Sequence, residues 1–99
     1  MKKLYEVFKM KTAKEARKQS ETAANSKFRS IIEEISMDIE MASERGDTTI
    51  TTREFDCRTP EDFAVIDRVL EELDKNGYTL GKHTWYIGKS QLIMIDIKW

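Results

Sequence analysis

The side chains best suited to chemistry in this sequence are its single cysteine, Cys57, and its single histidine, His83. Cys57 lies next to Arg58 and two residues before Thr59, where the pattern Thr-Pro-Glu-Asp predicts the start of a helix. A helix N-terminus and a neighbouring cation both lower the pKa of a thiol, so a nucleophile and base formed by Cys57 and His83 is one hypothesis. The alternative is a half-buried cysteine at a strand end, which we favour because no orienting third group or oxyanion turn lies nearby in the sequence.

Other patterns that carry chemistry are missing from the sequence. A zinc site needs about four ligands, which one histidine and one cysteine do not supply. There is no glycine-rich phosphate loop and no nucleophile elbow. The acidic residues fall on helix faces away from the apolar stripes, where a solvated surface is expected. We therefore predict that the protein is not an enzyme and has no metal site and no cofactor.

Basic and aromatic residues are the remaining candidates for recognition. The first 18 residues hold seven basic and two acidic side chains, a net charge of +5, whereas the other 81 hold ten and 16, a net charge of −6. A basic segment on an acidic body can bind nucleic acid or dock on the body of a second copy. Trp85 and Tyr86 are adjacent, so a strand would point them to opposite faces, one towards the core and one exposed. The predicted interaction residues are Lys2, Lys3, Phe8, Lys9, Lys11, Lys14, Arg17, Trp85 and Tyr86.

A long helix over residues 12–46 must position several of these side chains. The Thr-Ala-Lys-Glu pattern at 12–15 has the spacing of a capping box, which predicts that the helix begins at Ala13 and that residues 1–11 form a separate basic arm. Apolar residues recur at steps of three and four from Phe28 to Ala42, which indicates a helix face. Gly46 is typical of a residue that ends a helix.

The length of this helix is a problem for a small protein. About 33 helical residues span roughly 50 Å, whereas a compact domain of this size is roughly 25–30 Å across. The helix is therefore expected either to overhang the body or to break between Ser20 and Ser26. Its first half carries mainly alanine on its apolar side, which is too thin to stabilise a helix alone. We expect this half to need a partner.

Residues 47–99 are predicted to form a β-α-β-β body. Its elements are a strand at 48–55, a helix at 60–76 and two strands at 78–87 and 91–98, joined by a turn at 88–90. Residues 92–97 are nearly all apolar, so the last strand is expected in the middle of the sheet. The predicted fold is α+β, with the long N-terminal helix followed by a three-stranded mixed sheet of strand order 1-3-2 packed by helices, in one domain covering residues 1–99.

Four short segments resemble small proteins encoded by bacteriophages of Gram-positive bacteria. The segments are TAKEAR at 12–17, ASERG at 42–46, NGYTL at 76–80 and IDIKW at 95–99. The resemblance implies a small α+β protein that binds and inhibits a host or defence protein, often as an oligomer. It implies no catalytic or binding residues.

The residues and the resemblance together lead to one main hypothesis and one alternative. The main hypothesis is a non-enzymatic protein-interaction module that inhibits a host protein and acts as a homo-oligomer, most simply a dimer. The alternative is a protein that binds nucleic acid or nucleotides through the basic arm and the exposed aromatic residues. A lone cysteine and the lack of an apolar run of ~20 residues predict a cytoplasmic protein with no membrane segment.

Overall fold

The computed structural model describes residues 10–99 of the chain. Its elements in chain order are α1 (Ala13–Glu44), β1 (Thr49–Thr51), β2 (Phe55–Cys57), α2 (Pro60–Lys75), β3 (Thr79–Ile87) and β4 (Ser90–Lys98). The α+β class and the long N-terminal helix are therefore confirmed. Four predicted interaction residues, Lys2, Lys3, Phe8 and Lys9, lie outside the described residues, as does most of the predicted basic arm.

Helix α1 begins and ends where its capping residues predict. The Thr12 hydroxyl oxygen accepts a hydrogen bond from the Glu15 amide at 3.1 Å and so satisfies one of the free donors of the first turn. At the other end Gly46 adopts a φ of 88°, a left-handed conformation that glycine tolerates and that ends the helix. The helix is continuous for 32 residues. Of the two expected alternatives, an overhang or a break between Ser20 and Ser26, the break is therefore not found.

Helix α2 has the stronger N-terminal cap of the two helices. The Thr59 side chain accepts from the Asp62 amide, and the Asp62 carboxylate accepts from the Thr59 amide at 3.2 Å. Pro60 occupies the first turn, where its missing N–H costs nothing. The buried residues of α2 follow a helical spacing and form one stripe: Val65, Ile66, Val69 and Leu73.

Strand β4 lies between the other strands. β3 pairs with one side of β4, while β1 and β2 both pair with its other side, and every pairing is antiparallel. The predicted three-stranded mixed sheet of order 1-3-2 is therefore wrong. There are four strands, and because β4 is the common neighbour of the other three, no two adjacent strands are parallel.

The strand predicted at 48–55 is two strands separated by a β-bulge. Thr51 pairs with Asp96 and Phe55 pairs with Ile93. The three residues 52–54 between these pairs therefore lie opposite only two residues of β4, 94 and 95. The Thr52 amide donates to the Ile95 carbonyl at 2.9 Å. The Ile95 amide donates in return to the Thr52 side-chain hydroxyl at 3.0 Å, and Thr52 is only 3% exposed. A side chain thus replaces the backbone acceptor that the bulge removes.

Both helices pack on the same face of the sheet. Ile93, Ile95 and Ile97 point to this face and are 2%, 0% and 0% exposed, in contact with buried residues of α1 and α2. Leu92 and Met94 point to the opposite face, where they are only half-buried. Within residues 10–99 no helix covers that second face, which we call the open face.

Candidate interaction surfaces

Cys57 and His83 lie on opposite faces of the sheet. Cys57 pairs with Gln91 and His83 pairs with Met94, and side chains of neighbouring positions along a strand alternate between faces. Cys57 points into the core, where it is 2% exposed, and burial raises the pKa of its thiol, with a smaller contribution from the Asp62 carboxylate. The hypothesis of a nucleophile and base formed by Cys57 and His83 is therefore not supported by the geometry.

His83 belongs instead to a polar network on the open face. Its Nε2 is hydrogen-bonded to Oδ2 of Asp96, and the Thr51 hydroxyl donates to Oδ1 of the same carboxylate at 2.7 Å. These bonds, first that from Thr51 and then that from His83, lower the pKa of Asp96 below its ordinary value. The network links β1, β4 and β3. No group of three or more histidine, cysteine or carboxylate side chains in the described part of the chain could hold a metal ion.

The two adjacent aromatic residues of β3 have different surroundings. Trp85 points to the open face opposite Leu92 and is half-buried. Tyr86 pairs with Gln91, so it points to the helix-covered side of the sheet, yet it is 75% exposed. Tyr86 is therefore the more accessible of the two predicted aromatic contacts.

The described basic candidates lie on or next to the N-terminal part of α1. Every residue from 13 to 23 is exposed, and Ala24 is the first to pack against the core. We call residues 13–23 the overhang of α1. Lys14 and Arg17 lie on it, and Lys11 precedes it and donates a hydrogen bond to the Gln19 side chain. The structure thus places these three candidates together and places the two aromatic candidates elsewhere, on β3.

A chain of polar contacts shows where α1 leaves the body. Lys27 of α1 forms an ion pair with Asp62 at 2.8 Å, and Asp62 also accepts from the Arg58 amide at 3.0 Å. The hydrogen bond from Lys27, followed by the bond from the Arg58 amide, lowers the pKa of Asp62 to about 2. Nε of Arg58 donates to the Ser90 hydroxyl at 2.8 Å, beside the β3–β4 turn. The overhang therefore projects from the end of the sheet that carries this turn.

A shallow groove follows the base of the overhang. It has a volume of about 240 Å³ and is lined by Ser20, Ala23, Ala24, Lys27, Glu61, Asp62 and Val65. The small side chains of α1 leave this space open beside the first turn of α2. Acidic groups of α2 thus lie next to the base of the overhang.

The outer edge of β3 is a candidate surface that the residue patterns did not single out. β3 is nine residues long and pairs only with β4 among the strands of residues 10–99. Its other side therefore presents backbone N–H and C=O groups that no strand of the described residues pairs with, and such groups readily accept another strand. The sequence carried no signal for this edge, because whether β3 lies at the border of the sheet depends on the order of the strands.

No protein-family model, no curated protein and no solved structure matches this chain. None of the helices described has the length and apolar content needed to span a membrane. We therefore infer function from the surfaces themselves.

Proposed function

We propose that the protein is a non-enzymatic protein-interaction module that acts as a homo-oligomer and inhibits a host or defence protein in the bacterial cytoplasm. The observation that supports this proposal is the overhang of α1, in which residues 13–23 are helical yet all exposed. An isolated helical segment of this length is marginally stable in water, since most helical stability in proteins comes from packing. A helix that stands clear of its own body is well suited to contact with another chain.

The chemistry of the overhang specifies the kind of surface it would bind. Its three basic side chains, Lys14, Arg17 and Lys18, outnumber Glu15 and Glu21 and leave it a net charge of +1. Ala13 and Ala16 allow close approach of a partner. The complementary surface is acidic. Helix α2 offers such a surface on a second copy, with exposed acidic side chains at Glu61, Asp67, Glu71 and Asp74. An acidic surface on the inhibited protein would serve equally well.

We expect light scattering after size exclusion to give at least twice the chain mass of 11.6 kDa. Deleting residues 1–20 then shows what the overhang contacts. A return to the mass of one chain means that the overhang joins the copies, and an unchanged mass means that it is left for the inhibited protein. A full-length protein that stays at 11.6 kDa at micromolar concentration contradicts the homo-oligomer.

One observation favours nucleic-acid binding as a second candidate function. The overhang projects from the sheet end where Tyr86 is 75% exposed, so exposed cations and an exposed aromatic ring lie at the same end of the molecule. Cations bind phosphates, and aromatic rings stack on unpaired bases.

If this second function is correct, a fluorescent single-stranded oligonucleotide should bind at low salt and be released steeply as salt rises, because bound phosphates release counterions. Replacing Lys14 and Arg17 with alanine should weaken binding and flatten the salt dependence. Replacing the exposed Arg29 with alanine is the control, since it lies on α1 outside the overhang. The candidate function is rejected if no binding is seen at low salt, or if all of these variants bind alike.

A further inference from the structure

The turn between β3 and β4 determines which backbone N–H and C=O groups of β3 point away from β4. Gly88 has a φ of 61°, and it is followed by a residue with negative φ, the pattern of a two-residue type II′ turn. Ile87 and Ser90, which flank such a turn, form a hydrogen-bonded pair. Odd-numbered residues of β3 therefore direct their N–H and C=O groups towards β4. The even-numbered residues direct theirs to the outer edge: Leu80, Lys82, Thr84 and Tyr86.

We propose that β3 pairs in antiparallel fashion with β3 of a second copy, with the two-fold axis at His83. This register uses all nine residues of both strands and places Thr79 opposite Ile87 of the second copy. It also places even-numbered residues opposite even-numbered ones, so outward N–H and C=O groups meet outward groups. If the register were shifted by one residue, the outward N–H and C=O groups of one strand would lie opposite residues of the other strand whose backbone groups point inwards, towards β4. The register with the greatest overlap is thus one that the hydrogen-bond pattern allows.

The side chains of β3 are self-complementary in this register. Trp85 lies opposite Gly81 of the second copy, and an aromatic ring next to a strand glycine covers backbone that the glycine leaves exposed. Tyr86, 75% exposed in the single chain, lies opposite Leu80 of the second copy. Lys82 lies opposite a threonine and not another lysine. His83 faces His83 of the second copy, and each retains Asp96 of its own chain as a hydrogen-bonding partner.

The pairing also accounts for exposed apolar side chains at one end of β3. Tyr86 and Ile87 are 75% and 62% exposed, although they are neighbours on a regular strand. Two-fold pairing brings both against the first residues of β3 in the second copy. The result is a continuous sheet of two chains with all helices on one side. This inference rests on the proposed homo-oligomer and specifies how the copies join.

Cysteine cross-linking at the two-fold axis tests the register directly. Residues facing each other in a non-hydrogen-bonded antiparallel pair have Cα atoms about 4.5 Å apart, within the range of about 4.4–6.8 Å for a disulfide. His83→Cys should therefore form a covalent dimer under mild oxidation. Thr79→Cys is the matched control on the same face of the same strand, because its two copies would lie roughly 27 Å apart. The unaltered chain, whose only cysteine is buried, gives the background.

Thr84→Pro tests the same edge without a disulfide. The Thr84 amide points outwards, so proline removes a donor that β4 does not use while blocking the added strand. We expect a folded protein, checked by circular dichroism, with its mass reduced to 11.6 kDa. Deletion of residues 1–20 should leave the oligomer intact.

The inference is overturned if the full chain is oligomeric but His83→Cys forms no more covalent dimer than Thr79→Cys. It is also overturned if a folded Thr84→Pro variant keeps the oligomer mass. In either case the homo-oligomer stands and another surface joins the copies. A full chain that is monomeric contradicts the homo-oligomer as well. If Thr84→Pro fails to fold, the cross-linking result decides.

Discussion

Replacing Ile95 with alanine is expected to destabilise the protein by about 2–5 kcal/mol, because it removes buried methyl groups and leaves a cavity that the surroundings fill only in part. Ile95 is fully buried, in the central strand and among buried residues of both helices. In a domain of this size the loss corresponds to a fall in melting temperature of roughly 8–40 °C. Urea unfolding followed by circular dichroism measures the effect.

Met94→Ala is the matched control for this prediction. Met94 is the neighbour of Ile95 on β4 but points to the open face, where it is only half-buried. Truncating Met94 to alanine should lower the free energy of unfolding clearly less than Ile95→Ala does, because solvent already contacts part of the Met94 side chain. Equal losses for the two variants would contradict the conclusion that the helix-covered face holds the core.

Thr52→Val is expected to lower the free energy of unfolding by about 1–3 kcal/mol, although valine has nearly the same shape as threonine. The Ile95 amide donates to the Thr52 hydroxyl at 3.0 Å, and Ile95 is fully buried. Valine removes the acceptor and leaves a buried N–H unpaired, which costs about this amount. Hydrogen exchange at the Ile95 amide should become faster in the same variant.

Thr52→Ser separates the hydrogen bond from the packing. Serine keeps the hydroxyl and loses only the methyl group, so it should retain most of the stability and the slow exchange at Ile95. If Thr52→Ser lowers the free energy of unfolding as much as Thr52→Val does, the bulge is stabilised by the methyl group of Thr52 and not by its hydroxyl.

Local signals in the sequence were sufficient to predict the helices. A threonine cap precedes both α1 and α2, glycines follow them, and apolar residues recur at helical spacing between, so the bounds depend on residues within a few positions of each end. The long-range arrangement was harder to predict. The segment TTITTREF at 48–55 has the composition of one strand, and its interruption depends on a bond between Thr52 and Ile95, 43 positions apart. No local pattern carries that information.

The candidate surfaces show the same division between local and long-range information. The sequence identified Trp85 and Tyr86 as a pair on opposite faces, but which of them is exposed depends on how far the helices extend over β3. The separation of Cys57 from His83 depends on the register of two different strands against β4. The outer edge of β3 becomes visible only when the order of the strands is known.

The bulge at residues 52–54 makes the two borders of the sheet unequal. β3 offers nine consecutive residues, whereas the opposite border offers two strands of three residues each, out of step with one another by one position. Two chains that join through β3 therefore present only interrupted borders on the outside, and a further chain finds no matching row of donors and acceptors. Such an assembly ends at two copies and does not extend into a fibre. Deleting one residue from this segment would restore a continuous border and with it the capacity for open-ended polymerisation.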